Sequence, residues 1–285
     1  MIKTKKYIRE QLAPLYPPTE VEGLTRIILE QVTGFSPLQM HLNQSEPIPK
    51  SKIMQITEIV NRLCKSEPIQ YILGETEFYG LKFNVSPGVL IPRAETEELV
   101  DWIVKEEAGC KSLLDIGTGS GCIPIAIAKN ANMERIEGWD ISEEALTIAR
   151  ANANRNDARV QFSNQDIFNP AGIIEQTKWE VIISNPPYVL KEESAWMEKN
   201  VLDFEPHLAL FVPDEDPLLF YRVIAKFAKV HLPPHGKLYF EINERMGEQT
   251  SALLRELGFY EILTRKDLQG KVRMIRGRKA EIGQS

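Results

Sequence analysis

A glycine-rich loop between a strand-like and a helix-like segment limits the folds that this chain can adopt. Residues 112–116 have the pattern of a short buried strand, and residues 122–129 have that of an apolar helix. Between them, glycine takes every second position, at Gly117, Gly119 and Gly121. Glycine permits tight turns and a close approach to a ligand, and a helix start offers free N–H groups. The segment predicts a nucleotide-type binding loop.

The pattern after this loop predicts the fold class. The spacing G-x-G-x-G differs from the dinucleotide form G-x-G-x-x-G, and no G-K-[ST] follows to make a phosphate-binding P-loop. From Glu95 onward, strand and helix patterns alternate. Such alternation predicts an α/β fold with a doubly wound, Rossmann-like and mostly parallel sheet.

Acidic residues follow the next two strand candidates. Asp140 ends the segment 135–139, about 20 residues beyond the glycine loop, where a ribose-binding carboxylate belongs. A carboxylate there can accept hydrogen bonds from both ribose hydroxyls. A third strand candidate, 160–162, precedes Asp166 and Phe168, which are placed to contact the edge and the face of an adenine.

A rigid corner follows the next strand. Residues 179–184 have the pattern of a buried strand, and Pro186 and Pro187 stop its hydrogen-bond ladder because proline has no N–H. The side-chain oxygen of Asn185 and a proline carbonyl can accept both hydrogens of a planar amino group, and Tyr188 can stack on its face. Alone, this corner would indicate a tight turn. The corner follows the glycine loop and the two acidic positions in one order along the chain, and this joint occurrence favours a binding site.

Two motifs together resemble a known enzyme class. Residues 115–121 with residues 185–188 are similar to class I S-adenosylmethionine-dependent methyltransferases that act on an amino nitrogen. Three further segments, 78–83, 89–97 and 205–211, resemble the HemK/PrmC family, and the resemblance extends over nearly the whole chain. Within 89–97, Ile-Pro-Arg is more discriminating than Asn-Pro-Pro-Tyr, which adenine-amino methyltransferases share.

The resemblance implies an activity and a cofactor site. Members of this family transfer a methyl group from S-adenosylmethionine to the side-chain amide nitrogen (N5) of the glutamine in the Gly-Gly-Gln loop of peptide chain release factors. The product is S-adenosylhomocysteine, and no metal is required. The residues expected to hold the cofactor are Gly117, Thr118, Gly119, Ser120, Gly121, Asp140, Asp166, Phe168 and Asn185.

The same resemblance implies catalytic and substrate-binding residues. The residues expected to be catalytic are Asn185, Pro186 and Tyr188, and those expected to bind substrate are the same three with Pro187, Arg93 and Glu95. For Arg93, Glu95 and Thr96, a substrate entrance and an ordinary helix start with surface ion pairs both stay open. Residues 205–207 form either a loop over the substrate or a rigid turn.

The predicted organisation has three parts. Residues 1–73 carry amphipathic helical stripes, for example Ile53, Ile56, Val60 and Leu63, and are expected to form a domain that recognises the release factor. Residues 74–90 predict a β-hairpin linker, and residues 91–285 the methyltransferase domain.

Composition restricts the setting. No apolar run has the length of a membrane span, and the start lacks the apolar core of a signal peptide. The three cysteines are odd in number and widely spaced, and the four histidines lack ligand spacing. We therefore expect a cytoplasmic, metal-free monomer with no membrane contact.

Charge bears on the alternative functions. The net charge of −6 argues against direct nucleic-acid binding, and with it against an adenine-amino methyltransferase acting on DNA or RNA through a flipped base. That enzyme remains the alternative, together with a non-enzymatic S-adenosylmethionine-binding protein. The basic stretch 262–285 forms either a solvated terminal hairpin or a steering patch for an acidic partner.

Overall fold

The computed structural model describes residues 1–173 and 176–281. The chain forms two compact units: residues 1–73 with 198–204, and residues 74–197 with the chain from Glu205 onward. The sequence analysis placed 198–204 in the methyltransferase domain, but these residues pack with the helical unit. A six-residue helix carries too little pattern of its own to reveal its long-range partners.

The helices and strands have the following bounds. The helices are α1 Ile2–Leu12, α2 Pro18–Thr33, α3 Pro37–Leu42, α4 Lys50–Leu63, α5 Ile69–Leu73, α6 Ala94–Glu106, α7 Cys122–Asn130, α8 Glu143–Arg155, α9 Lys199–Phe204, α10 His207–Leu210, α11 Leu219–His231 and α12 Gly247–Glu256. The strands are β1 Glu75–Phe78, β2 Leu81–Asn84, β3 Ser112–Ile116, β4 Arg135–Asp140, β5 Gln161–Asn164, β6 Val181–Ser184, β7 Val189–Leu190, β8 Phe211–Val212, β9 Lys237–Glu241, β10 Phe259–Lys266 and β11 Val272–Lys279.

The first unit is a helical core built from the predicted stripes. Ile56, Val60 and Leu63 of α4 are buried in it, together with Ile28 of α2. Ile53, which the sequence placed in the same stripe, is exposed because it lies in the first turn of α4 and is not covered. The unit is therefore held by apolar packing between helices.

The second unit contains a seven-stranded sheet in the order β10-β11-β9-β6-β3-β4-β5. Strands β5, β4, β3, β6 and β9 are mutually parallel, and β11 runs antiparallel to β9 and β10. The doubly wound, mostly parallel sheet predicted from the sequence is confirmed. Its antiparallel β10–β11 edge was only partly foreseen, because β10 is largely exposed and lacks an apolar pattern.

Helices cover both faces of this sheet. Side chains of α6 and α7, among them Trp102 and Ile125, pack in one apolar cluster. Side chains of α11 and α12, among them Tyr221 and Leu254, pack in a second one. Because helices cover both faces of the central strands, a ligand can reach the sheet at the edge where the carboxyl ends of these strands lie.

Strand register brings the predicted motifs to that edge. Ile116 at the end of β3 pairs with Ser184 at the end of β6, and with Trp139 of β4 on its other side. The sheet changes its winding direction between β3 and β6, which is where ligands bind in doubly wound folds. The glycine loop, Asp140 and Asn185 thus leave the sheet side by side.

The second unit has a separate β1–β2 hairpin and a β10–β11 hairpin at the edge of the seven-stranded sheet. β1 and β2 pair through a Tyr79–Gly80 turn in which both residues have positive φ, as in the type I′ turns that suit hairpins. In the β10–β11 hairpin, Arg265 and Arg276 both bind Glu106, and Arg278 binds Glu261. These ion pairs neutralise much of the basic stretch, which disfavours a steering patch.

Candidate active site

A cavity of about 340 Å³ opens at the carboxyl edge of the sheet, and all of its lining belongs to the second unit. Its volume lies at the small end of the range for small-molecule sites. Eight residues predicted from the sequence line it: Gly117, Gly119, Asp140, Asp166, Phe168, Asn185, Pro186 and Pro187. The glycine loop and the Asn-Pro-Pro corner therefore share one cavity.

The glycine loop is shaped by its backbone. Gly117, Gly119 and Gly121 all have φ between 53° and 77°, a region that side chains with a Cβ rarely adopt. A Cβ on Gly121 would also lie only 3.1 Å from Phe162. The side chains of Thr118 and Ser120 are buried and do not line the cavity. These two side chains therefore contribute to the conformation of the loop.

Asp140 is fixed by the backbone around it. The Gly119 N–H donates a hydrogen bond of 2.8 Å to one carboxylate oxygen, and the Ser142 N–H donates one of 2.9 Å to the other. Burial raises the pKa of Asp140, and these hydrogen bonds to the charged form oppose the rise. Each oxygen keeps a free lone pair, so the carboxylate can still accept from a diol.

Asp166 and Phe168 sit in one turn at the cavity wall. The Asp166 carboxylate accepts a hydrogen bond of 2.9 Å from the Phe168 N–H. The half-exposed Phe168 ring meets Phe220 edge to face at 5.4 Å between centroids. Phe220 also lines the cavity and was missed, because it comes from α11 and no local pattern marks it. The two rings offer a surface for a flat ligand.

The side-chain amide of Asn185 is hydrogen-bonded to the first turn of α6. Its Nδ2 donates a hydrogen bond of 3.4 Å to Thr96 Oγ1, and the Thr96 hydroxyl donates one of 2.6 Å to Oε2 of Glu241. The end of β6, which precedes Asn185, is joined to β3 by a side-chain hydrogen bond. The Ser184 hydroxyl donates this bond, 2.6 Å long, to the Ile116 carbonyl. Among the described residues, none donates a hydrogen bond to the amide oxygen of Asn185. Thr96 lies in the first turn of α6, as one interpretation of the sequence predicted, and its side chain is buried.

Tyr188 is tied to the same carboxylate. Its hydroxyl donates a hydrogen bond of 3.1 Å to Oε1 of Glu241, and its carbonyl accepts one of 3.3 Å from Asn243 Nδ2. Burial raises the pKa of Glu241, while the hydrogen bonds from Thr96 and Tyr188 and the charge of Arg273 oppose the rise. Tyr188 is not among the residues that line the cavity, so its stacking on substrate stays a prediction.

Arg93 and Glu205 join two segments that the sequence singled out. Nη2 of Arg93 donates a hydrogen bond of 2.6 Å to Oε1 of the buried Glu205, and the Ile91 N–H donates one of 3.4 Å to Oε2. Burial raises the pKa of Glu205, and the Arg93 charge opposes the rise. Residues 87–90 contribute to the cavity wall together with Pro206, Leu208 and Ala209, whereas Glu95 lines a separate pocket.

Asp115 is a further buried acid, beneath the glycine loop. It is fully buried in β3, and burial raises its pKa to about 7, while the nearby Thr118 hydroxyl opposes the rise. An acid within an apolar strand just before Gly117 was visible in the sequence but received no separate role.

Among residues 1–173 and 176–281, no cluster of His, Cys, Asp or Glu could hold a metal ion. Within the same ranges, no helix is long and apolar enough to span a membrane.

Two family profiles match the chain. Residues 6–74 match the PrmC N-terminal domain, and residues 95–202 match the methyltransferase small domain. The first match covers the helical unit up to its junction with the hairpin. The second covers the glycine loop, Asp140 and the Asn-Pro-Pro-Tyr corner.

Whole-chain comparisons agree with these profiles. The chain is 48% identical over 275 residues to the release factor glutamine methyltransferase of Bacteroides thetaiotaomicron, covering 96% of this chain and 99% of the relative. It is 42% identical over 272 residues to that of Flavobacterium psychrophilum, covering 94% and 95%. A methyltransferase structure from Pyrococcus furiosus superposes with a TM-score of 0.53 at 21% identity, over 72% of this chain and 91% of the other, and shows the shared fold.

Proposed function

Since this chain belongs to the release factor glutamine methyltransferase family, we propose that it methylates N5 of the glutamine in the Gly-Gly-Gln loop of a peptide chain release factor, with S-adenosylmethionine as the methyl donor. The observation that carries this proposal is the Asn185 corner. The NH₂ group of the Asn185 side chain donates to Thr96, so the amide oxygen would accept a hydrogen from the substrate amide. Asn185 lines the same cavity as Asp140 and the glycine loop.

The cofactor half of the site follows from the residues on the cavity wall. S-adenosylmethionine supplies a methyl group that its sulfonium makes electrophilic. Asp140 would accept hydrogen bonds from the ribose hydroxyls, because both of its oxygens keep free lone pairs. Asp166 would bind the adenine edge, while Phe168 and Phe220 would contact the ring. The loop at Gly117–Gly121 would let the backbone approach the amino-acid part of the cofactor.

The substrate half must align a weak nucleophile. The lone pair of an amide nitrogen is delocalised, so the nitrogen attacks poorly unless its N–H bonds are held. Oδ1 of Asn185 and the carbonyl of Pro186 would accept those two hydrogens and direct the remaining face of the nitrogen to the methyl group. A new N–C bond would form as the C–S bond of the donor breaks, with the electron pair of that bond left on sulfur, and the nitrogen would lose one proton to water. Positioning of this kind can lower a barrier by about 7–11 kcal/mol.

The partners and the cellular location of the enzyme belong to the same proposal. We infer that the helical unit recognises the release factor, that the enzyme acts as a cytoplasmic monomer, and that neither nucleic acid nor a metal takes part. An adenine-amino methyltransferase would use the same corner. The match of residues 6–74 to the PrmC N-terminal domain and the ion-paired arginines of β10 and β11 favour the protein substrate instead.

Mass spectrometry of release factors tests this function. Purified enzyme with S-adenosylmethionine and unmethylated release factor should add the mass of one methyl substitution to the Gly-Gly-Gln peptide. A release factor whose loop glutamine is replaced by alanine serves as the control and should gain nothing. An unchanged wild-type peptide, or equal labelling of the control, would refute the proposal.

A further inference from the structure

The orientation of the Asn185 side chain decides whether the proposed chemistry works. One end of an asparagine amide accepts hydrogen bonds and the other end donates them, and the two ends have nearly the same size. A reversed amide would present N–H groups to the N–H groups of the substrate. The fold must therefore contain a partner that distinguishes the two ends.

Thr96 is that partner. Nδ2 of Asn185 lies 3.4 Å from Thr96 Oγ1, which has a single hydrogen to give. That hydrogen is donated over 2.6 Å to Oε2 of Glu241. Because its hydrogen is committed, Oγ1 can only accept from Asn185. The donor end of the amide is thereby drawn to Thr96, and the oxygen is turned away from it.

Glu241 sets the direction of this relay. Glu241 accepts two hydrogen bonds, one from the Thr96 hydroxyl and one of 3.1 Å from the Tyr188 hydroxyl. It lies at the end of β9 with 1% of its surface exposed, so bulk water does not compete for its oxygens. In such surroundings hydrogen bonds are strong, and breaking one is costly.

We propose that Thr96 and Glu241 are positioning residues for methyl transfer, which hold the Asn185 amide oxygen toward the acceptor nitrogen. The relay Asn185→Thr96→Glu241 joins the corner after β6, the first turn of α6 and the end of β9. The role in methyl transfer rests on the proposed function, whereas the orientation of the amide does not.

Kinetics of matched variants test the role. Thr96→Val keeps the shape but removes the hydroxyl, and should slow single-turnover methylation at saturating cofactor by about 10- to 100-fold, as a misplaced reactant does. S-adenosylmethionine affinity should stay unchanged, and Thr96→Ser should restore most of the rate. Thr250→Val makes the same swap at a buried threonine of α12 whose Oγ1 has no partner among the described residues, and should leave the rate unchanged.

A double-mutant comparison separates positioning from general stability. If Thr96 acts through Asn185, Thr96→Val should cause no further slowing in an Asn185→Ala background. Equal slowing in both backgrounds would overturn the proposal. Should Thr96→Val fail to fold, Glu241→Gln, which keeps the size of the side chain, replaces it in this comparison. Glu241→Gln should then cause no further slowing in the Asn185→Ala background. Equal slowing in both backgrounds would contradict the relay.

Nuclear magnetic resonance separates this inference from the proposed substrate. The side-chain NH₂ signal of Asn185, assigned by its loss in Asn185→Ala, should move in Thr96→Val and stay in place in Thr250→Val, with no substrate present. An unmoved signal in Thr96→Val refutes the relay whatever the substrate is. A moved signal in an enzyme whose wild type methylates no release factor would instead leave the orientation standing and refute the proposed function.

Discussion

The Gly119 N–H donates a 2.8 Å hydrogen bond to a carboxylate oxygen of Asp140, and this bond links the two predicted halves of the cofactor site. A second bond, from the Ser142 N–H, fixes the other oxygen. Both donors belong to the backbone, so the carboxylate is oriented by the fold itself. A ligand that meets such a carboxylate does not have to order it on binding, which reduces the entropic cost of the complex.

Replacing Asp140 should weaken cofactor binding. Asp140→Ala removes the acceptor for the ribose hydroxyls and leaves two backbone N–H groups without their partner. A lost charge-assisted hydrogen bond costs about 1–3 kcal/mol, so the dissociation constant of S-adenosylmethionine should rise roughly ten- to hundredfold. Isothermal titration calorimetry measures the change. Asp157→Asn, at an exposed turn outside the cavity, is the control and should bind like wild type. Unchanged affinity in Asp140→Ala would remove Asp140 from the site.

Asn185 should matter far more for the chemistry than for binding. Asn185→Ala deletes the oxygen that we expect to accept an amide hydrogen, and the loss of one fixed polar group of this kind costs roughly 10²–10³ in rate. The fold should persist because the residue follows the end of β6. Single-turnover methylation of a release factor gives the rate, and calorimetry gives the cofactor affinity, which should fall only modestly.

Asn185→Asp sharpens that test. It keeps an acceptor oxygen but removes the NH₂ group that Thr96 accepts from, and adds a charge beside the expected sulfonium. We expect a rate between those of wild type and Asn185→Ala. Near-wild-type turnover by Asn185→Ala would show that the corner is structural, and the mechanism would then be wrong.

Asp115 should make stability depend on pH. Its pKa is raised to about 7 in the folded protein from the ordinary value of 3.8, because its charged form is buried. Protonated Asp115 is therefore favoured by folding. Its contribution to stability is fully present below about pH 4 and is lost as the pH rises through about 7. Asp115→Asn, which carries no charge, removes this dependence.

Denaturant unfolding at several pH values, without cofactor, measures that difference. The free energy of unfolding of Asp115→Asn relative to wild type should rise between pH 4 and pH 7 and then level off, by a few kcal/mol at most. Titrations of groups that do not interact with Asp115 cancel in the comparison. A flat difference for Asp115→Asn would mean that Asp115 titrates normally.

The sequence predicted those parts of the candidate site that a local pattern determines. Gly117, Asp140 and Asn185 each follow a strand of a β-α repeat, and parallel strands bring such positions to one edge. Thr96, Glu241 and Phe220 arrive from distant elements, and the Thr96–Glu241 bond spans 145 positions. Nothing within a local window marks a buried glutamate at the end of an apolar strand as a partner. Long-range packing alone selects it.

The last prediction concerns the helical unit. Leu38 and Leu42 lie one turn apart on α3, so they share a face, and they are 68% and 71% exposed. Exposed apolar neighbours favour protein–protein contact. If this face meets the release factor, the double variant Leu38→Glu with Leu42→Glu should raise KM for the intact release factor several-fold. Its S-adenosylmethionine affinity should stay unchanged, because the cavity lies wholly in the other unit.

A short Gly-Gly-Gln peptide distinguishes recognition from catalysis in this variant. Such a peptide reaches the Asn185 corner but offers no surface to α3, so its rate should match that of wild type. Ile2→Glu, at an exposed position of α1, adds charge to the same unit outside α3 and should leave both substrates unaffected. A KM for intact release factor that stays at the wild-type value in the α3 variant would mean that the Leu38–Leu42 face is not the docking surface. An equal loss on the peptide would mean that the substitutions disturb the catalytic unit.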